Sequence, residues 1–352
     1  RRKGDTALER RAAGMSVLAR VPRFLLVFVL LAIVRSYFNL SSLLLAVLGL
    51  LFFCIFAGRP PLPGEQFVPV YRSGVADGMS WGVAAVQGRR QYMEDMHQVV
   101  GFRGDGAPAE DAAAAKKVGL THFFAVYDGH GGKRAAAWAQ AHLVRALLQE
   151  LAQGARADKA AALDAAATAA FLKTDAGFLR QAMLMGMTDG STAITCMVQQ
   201  QGGGGARRLL VANLGDSRAA LVRRDGNGAA LSDDHKPNRP DERARVQAAG
   251  GRVLFAGCWR VQGDLAVSRA FGDVHLKKFG VSAQPELKSY TIGAQDAWLL
   301  LASDGLWDVV DEQMCGNACA RARDPLDAAR TLCDLASTRG SMDNITVLVV
   351  AL

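Results

Sequence analysis

The sequence predicts an α+β layered fold behind an apolar N-terminal segment. Three observations predict it. Short β-like runs fall in pairs and groups, long Ala-rich helical stretches lie in pairs beside them, and a Pro/Gly-rich stretch at 58–64 separates the apolar start from the rest. Strict alternation of single strands and helices would have argued for a doubly wound parallel sheet instead. The 352 residues, half of them apolar, suffice for one large domain and an appendage.

Residues 1–60 hold nine Lys/Arg against Asp5 and Glu9, which is +7 of the net +8. The basicity therefore belongs to a segment 1–20 and its apolar neighbour, which argues against nucleic-acid binding and for a membrane surface. From 21 to 57 the chain is almost wholly apolar, in blocks 24–34 and 40–57 parted by Arg35-Ser-Tyr-Phe-Asn39. The second block approaches the roughly 20 residues that a helix needs to cross hydrocarbon. The region is too long for the apolar core of a signal peptide, and no small-residue cleavage site follows it cleanly. A hydrophobic helical anchor over 21–57 is expected, as one transmembrane span or a short hairpin. The Arg-rich start belongs in the cytosol by the positive-inside rule. A hairpin returns the remainder there, so a membrane location with a cytosol-facing domain is expected. A linker over 58–77 and a main domain over 78–352 follow. The chain begins at Arg1 rather than Met, so residues preceding it are expected.

None of the six cysteines, Cys54, Cys196, Cys258, Cys315, Cys319 and Cys333, forms a Cys-x-x-Cys pair. Free thiols in a reducing compartment fit better than a zinc site.

Within the main domain, β-like runs cover 81–86, 123–127, 191–199, 208–214, 219–223, 297–302 and 345–351. Helical stretches cover 133–151, 159–185, 239–249, 311–323 and 325–337, the third with Pro240 near its start and Gly250-Gly251 at its end. Gly202–Gly205 reads as a hairpin loop, and 104–117 as an Ala-rich loop of mixed charge.

The chemistry lies where strands end in aspartate. Phe-Phe-Ala-Val-Tyr127 runs into Asp128-Gly-His130, Leu-Leu-Leu-Ala302 into Ser-Asp304-Gly, and Val-Ala-Asn-Leu214 into Gly-Asp216. Asp343 stands just before the last strand, and Arg90-Gln-Tyr-Met-Glu94-Asp95 follows the first. A strand end fixes a side chain, and a following glycine admits an ion or substrate to the backbone. Taken singly, each is also what an acidic turn after a strand looks like. Together, converging carboxylates repel unless hard divalent cations join them, and Mg²⁺ or Mn²⁺ suit all-oxygen ligands.

These motifs resemble those of the metal-dependent protein phosphatase family, type 2C. The matches are Arg90-x-x-Met-Glu94-Asp95, Asp128-Gly-His-Gly-Gly132, Asp189-Gly-Ser-Thr192, Gly215-Asp-Ser-Arg218, Asp234-His-Lys-Pro237, Gly263-Asp-Leu-Ala-Val-Ser-Arg-Ala-Phe-Gly-Asp273, Ala302-Ser-Asp-Gly-Leu-Trp-Asp308 and Asp343-Asn344. They occur in the family's order across nearly the whole domain. The resemblance implies a central β-sandwich flanked by antiparallel helix pairs, and a monomeric catalytic domain that removes phosphate from phosphoserine and phosphothreonine in proteins. It also implies roles. Asp128 bridges two ions that share a water, which attacks phosphorus in line. Asp304 and Asp343 bind one ion and the Gly129 carbonyl the other. Glu94 and Asp95 belong to the same shell, partly through water, and Asp216, Asp304 and Asp308 resemble a weaker third site. Arg90 grips phosphate, and His130 protonates the leaving oxygen.

Arg218 and Asp234 are expected to pair near a turn, Arg269 and Asp273 to make a structural pairing, Ser191-Thr192 to shape a strand start, and Trp307 to lie in the core. The stretch 253–278 resembles the family's flap. Some plant relatives dock hormone receptors through a tryptophan there; this chain has Ala256 at the apparent match and Trp259 three residues on, so that docking is not expected.

Overall fold

The computed structural model describes residues 68–103, 109–154, 158–201 and 205–352. The basic segment 1–20, the anchor at 21–57, the linker before residue 68 and the centre of the Gly202–Gly205 loop lie outside the described residues. Among the described residues, no helix is long and apolar enough to cross a membrane.

Two antiparallel sheets form the centre. The six-stranded sheet has the order β1 (Val70–Ala76), β2 (Met79–Val86), β16 (Ile345–Ala351), β15 (Asp296–Ala302), β9 (Arg218–Arg223), β10 (Gly228–Ala230). The five-stranded sheet has the order β14 (Glu286–Ile292), β8 (Ala206–Leu214), β7 (Ala193–Gln201), β4 (Leu120–Tyr127), β3 (Met96–Gly101). Successive side chains of a strand point to opposite faces, and β4 shows the result. Phe124 and Val126 pack into the core between the sheets, whereas Phe123, Ala125 and Tyr127 pack outward under helices. In β16, Leu348 and Val350 face the other sheet while Ile345, Val347 and Val349 face helices. Both faces being covered, these strands read as continuous apolar runs.

The outer face of the five-stranded sheet is covered by α1 (Ala109–Val118), α2 (Arg134–Gln153) and α3 (Lys159–Met185). The six-stranded sheet is covered by α5 (Asp304–Trp307), α6 (Glu312–Cys319) and α7 (Pro325–Thr338). This is a β-sandwich between helical layers, as expected. A separate small core of Val246, Val253, Val261, Val267, Leu276 and Val281 joins α4 (Pro240–Ala248) to the flap hairpin β11 (Val253–Ala256) and β12 (Cys258–Val261). Three two-residue strands, β5 (Gly129–His130), β6 (Gly190–Ser191) and β13 (Phe271–Gly272), pair in the order β13-β6-β5.

Several expectations need correction. The linker expected over 58–77 ends earlier, because Val70–Ala76 pairs along its whole length with β2. The loop expected over 104–117 is largely the helix α1. Its Glu110 and Asp111 sit in the first turn and Lys116 and Lys117 in the last, which suits the helix dipole, and Ala114, Ala115 and Val118 are buried. The run 191–199 is broken at Thr192 into β6 and β7. The strands β3 and β14 were missed; as sheet edges they carry no continuous apolar run.

Candidate metal and phosphate site

Four buried strands deliver acids to one end of the sandwich. Asp128 follows β4 and Asp216 follows β8 in one sheet, while Asp304 follows β15 and Asp343 precedes β16 in the other. The loop between β2 and β3 brings Arg90, Glu94 and Asp95. The predicted acidic residues therefore lie close enough for their charges to act on one another. Burial and the charges of Asp304, Asp95, Asp216 and Asp343 hold the Asp128 carboxyl well above the usual range. Burial and Asp216, Asp308 and Asp343 do the same to Asp304, against the pull of Lys236. Burial lifts Asp95 to about 6 even though Ser303 Oγ donates to its Oδ2 at 2.9 Å. Glu94 is raised by burial, against His130 and Arg90, and Asp308 by burial and Asp216, against Lys236.

Two carboxylates 4 Å apart repel by about 4 kcal/mol at an effective dielectric of about 20. The cations the chain brings into the cluster are Lys236, paired with Asp216, and Arg90, paired with Asp343. Among the described residues, no three His, Cys, Asp or Glu side chains are already gathered tightly enough to hold an ion. The donor chemistry nevertheless fits Mg²⁺ or Mn²⁺: every donor is a hard oxygen, the acids destabilise one another, and the buried Oδ1 of Asp95 has no hydrogen-bond partner among the described residues. Gly129 permits the close packing, since a Cβ there would stand 2.6 Å from the Glu94 carbonyl oxygen. An open cleft of about 420 Å³, lined by Trp307, Asp308, Val310 and Arg339, adjoins the rim.

Arg90 is more than half exposed and its guanidinium lies against the Asp343 carboxylate, so the expected phosphate grip and an expected ligand face the same spot. Asn344, to which sequence reasoning gave no role, fixes this loop. Its amide donates to the carbonyls of Gln87 (2.7 Å) and Tyr92 (2.9 Å), and its Oδ1 accepts from the Glu94 N–H (2.9 Å). Its place beside Asp343 in the final motif was the available signal.

His130 Nε2 lies 2.8 Å from Asp273 Oδ2. Burial lowers the imidazole's affinity for a proton, but Asp273, with Asp216 and Glu94, carries its pKa above the usual value. The pairing expected between Arg269 and Asp273 is not formed. Arg269 binds Glu242 at 2.7 Å instead, and Asp273 is left to His130. Arg218 does pair with Asp234, by two bonds of 3.0 Å, and also stacks on Trp307, a core residue as expected. Thr192 N–H donates to the Asp128 carbonyl at 2.9 Å, so the strand break at 192 braces the turn that carries Asp128.

The family model of protein phosphatase 2C matches residues 79–345, which takes in every acid of the cluster and, apart from β1 and most of β16, both sheets. The chain belongs to the protein phosphatase 2C family. The phosphatase is 42% identical over 285 residues to "Probable protein phosphatase 2C 59" of Arabidopsis thaliana, covering 80% of this chain and 83% of that one. It is 40% identical over 272 residues to "Probable protein phosphatase 2C 52" of Oryza sativa subsp. japonica, covering 77% of this chain but only 50% of the relative. The crystal structure of serine-threonine phosphatase 2C from Toxoplasma gondii matches with a TM-score of 0.66 over 81% of this chain and 99% of that one; at 24% identity this shows the shared fold. The phosphatase is a protein serine/threonine phosphatase of a family that is metal-dependent in general.

Proposed function

We propose that the phosphatase removes phosphate from phosphoserine and phosphothreonine in proteins at the carboxylate cluster. The observation that carries this reading is a set of acids gathered at the ends of buried strands from both sheets, close to a partly exposed arginine and a histidine. Asp128, the Gly129 carbonyl, Asp304 and Asp343 would hold two Mg²⁺ or Mn²⁺ ions, with Glu94 and Asp95 in the same shell and Asp216 and Asp308 serving a weaker third site. When bound, the ions neutralise the acids and acidify water, so that a nucleophile exists near neutral pH. Arg90 binds the phosphate oxygens, for which its planar fork is suited. His130 gives its proton to the seryl or threonyl oxygen as the bond from phosphorus breaks, and that oxygen keeps the electron pair. Ser303 and Asn344 hold Asp95 and the Arg90–Glu94 loop in place.

The test is Mn²⁺-dependent phosphate release from phosphoserine and phosphothreonine peptides, with nucleotides assayed in parallel. Turnover of the peptides by the wild type, lost in Asp128→Asn and Asp304→Asn, is expected. A wild type no faster than these variants removes the enzyme reading, and preference for nucleotides redirects it to small phosphoesters.

We also propose that residues 21–57 tether the phosphatase to a membrane with the catalytic domain in the cytosol. The support is the apolar run and the basic residues beside it. Protease treatment of sealed vesicles with their cytosolic face outward should digest the domain; protection would overturn the orientation.

A further inference from the structure

The contact between His130 and Asp273 has no place in the chemistry assigned so far. Its geometry is built from several sides. His130 and Gly272 pair with the same residue, Gly190, on opposite edges of β6. The side chains of His130 and Asp273 meet over that glycine: a Cβ on Gly190 would stand 2.1 Å from both His130 Nε2 and Asp273 Oδ2. Asp273 is buried, and among the described residues His130 is the only side chain it hydrogen-bonds.

The backbone of Asp273 is left-handed, with φ +47. This conformation costs a non-glycine residue on the order of 1–3 kcal/mol and persists only where the surroundings impose it. Here they do. The Asp273 N–H donates to the Asp189 carbonyl at 3.0 Å, and its carbonyl accepts from the Leu276 N–H at 2.8 Å. The preceding Gly272 N–H donates to Asp175 Oδ1 at 2.8 Å, and Asp175 also holds Lys277 at 2.9 Å. The strain thus aims one carboxylate at one imidazole.

We infer that Asp273 is the positioning residue for His130: it accepts the Nε2–H, and so presents Nδ1 as the nitrogen that serves the leaving oxygen. A carboxylate can only accept, which decides the donor. Nδ1 makes no hydrogen bond to the described residues, and the His130 side chain is 30% exposed, so that nitrogen is accessible to substrate. Leu276, three residues on, is buried in the small core under the flap hairpin, which ties the turn that carries Asp273 to the flap.

This inference rests on the acid role proposed for His130, and leaving groups separate the two. A threonyl oxygen needs a proton as it departs, whereas a nitrophenolate does not. The full chain with Mn²⁺ is assayed on a phosphothreonine peptide and on p-nitrophenyl phosphate, as wild type, His130→Asn, Asp273→Asn and the double variant. Asp273→Asn keeps a residue that tolerates the left-handed backbone. Asp273→Gly, which favours it, guards against loss of folding. On the peptide, kcat is expected to fall about 100-fold in His130→Asn and in Asp273→Asn, with a far smaller fall on the aryl phosphate. The double variant is expected to be no slower than His130→Asn alone, because residues acting as a unit are not additive. Equal losses on both substrates in both Asp273 variants, or a double variant slowed by the product of the single effects, would overturn the inference while leaving His130 as the acid. If His130→Asn itself shows no leaving-group dependence, the acid role falls and the inference with it.

Discussion

Glu242 at the base of the flap and Asp95 at the end of the sandwich are both buried carboxylates, and their environments act in opposite directions. Burial alone would raise both. At Glu242 it is overwhelmed by Arg269, Arg245 and Ser268, which hold the carboxyl far below its usual range. At Asp95 burial prevails over the hydroxyls of Thr346 and Ser303, Asp343 adds repulsion, and the carboxyl rises to about 6. Around it, burial and the neighbouring acids hold Asp128 and Asp304 well above the usual carboxylate range. The contrast separates acids neutralised within the chain from acids that are not. The flap neutralises its charge within the chain and forms its own small core, whereas the end of the sandwich gathers acids that the chain itself neutralises only in part.

Four measurements distinguish the two kinds of acid. Glu242→Ala strands Arg245 and Arg269 and should destabilise the domain by about 3–5 kcal/mol in denaturant titrations. A change below about 1 kcal/mol would mean that the flap does not depend on this network. Asp304→Asn should lower Mn²⁺-dependent kcat at least about 100-fold, since even residues behind a metal ligand can be worth that much. In chelator it should keep or gain stability, because a repelling charge is gone; a loss would place Asp304 with Glu242. Mn²⁺ at about 100 times its dissociation constant should stabilise the wild type by about 2.7 kcal/mol. Calorimetric melts should show that shift retained in Glu242→Ala and diminished in Asp128→Asn.

The last measurement is of pH. A carboxyl whose pKa is raised on folding holds its proton more tightly in the folded state, so its ionisation works against folding as pH climbs. For Asp95 in chelator the penalty is absent below pH about 4, grows through about 6 and is complete at 7. Asp95→Asn removes it and can still accept from Ser303. The variant should exceed the wild type by on the order of 1–3 kcal/mol at pH 7, with the margin closing towards pH 4. A margin that does not vary with pH would show that Asp95 is not raised by its surroundings.

Legibility followed physical environment. The runs that became β4, β8, β15 and β16 were readable because helices cover one face and the other sheet covers the second. The edge strands β1, β3 and β14 mix polar with apolar residues and escaped notice, as did α1, whose alanines and paired charges resemble a loop in composition. Among site residues, the acids announced themselves as strand ends. Asn344 did not, because its work is three hydrogen bonds to a loop about 250 positions away.

By itself, then, the sequence determined the doubly covered strands, the long helices and the acids, since apolar periodicity and a strand running into Asp-Gly are local patterns. Which charges are neutralised was decided only by tertiary structure. Arg269 lies four positions before Asp273 yet binds Glu242, and Asp273 meets His130 across 143 positions. Coulomb and hydrogen-bond energies depend on distance in space, and separation along the chain does not set that distance.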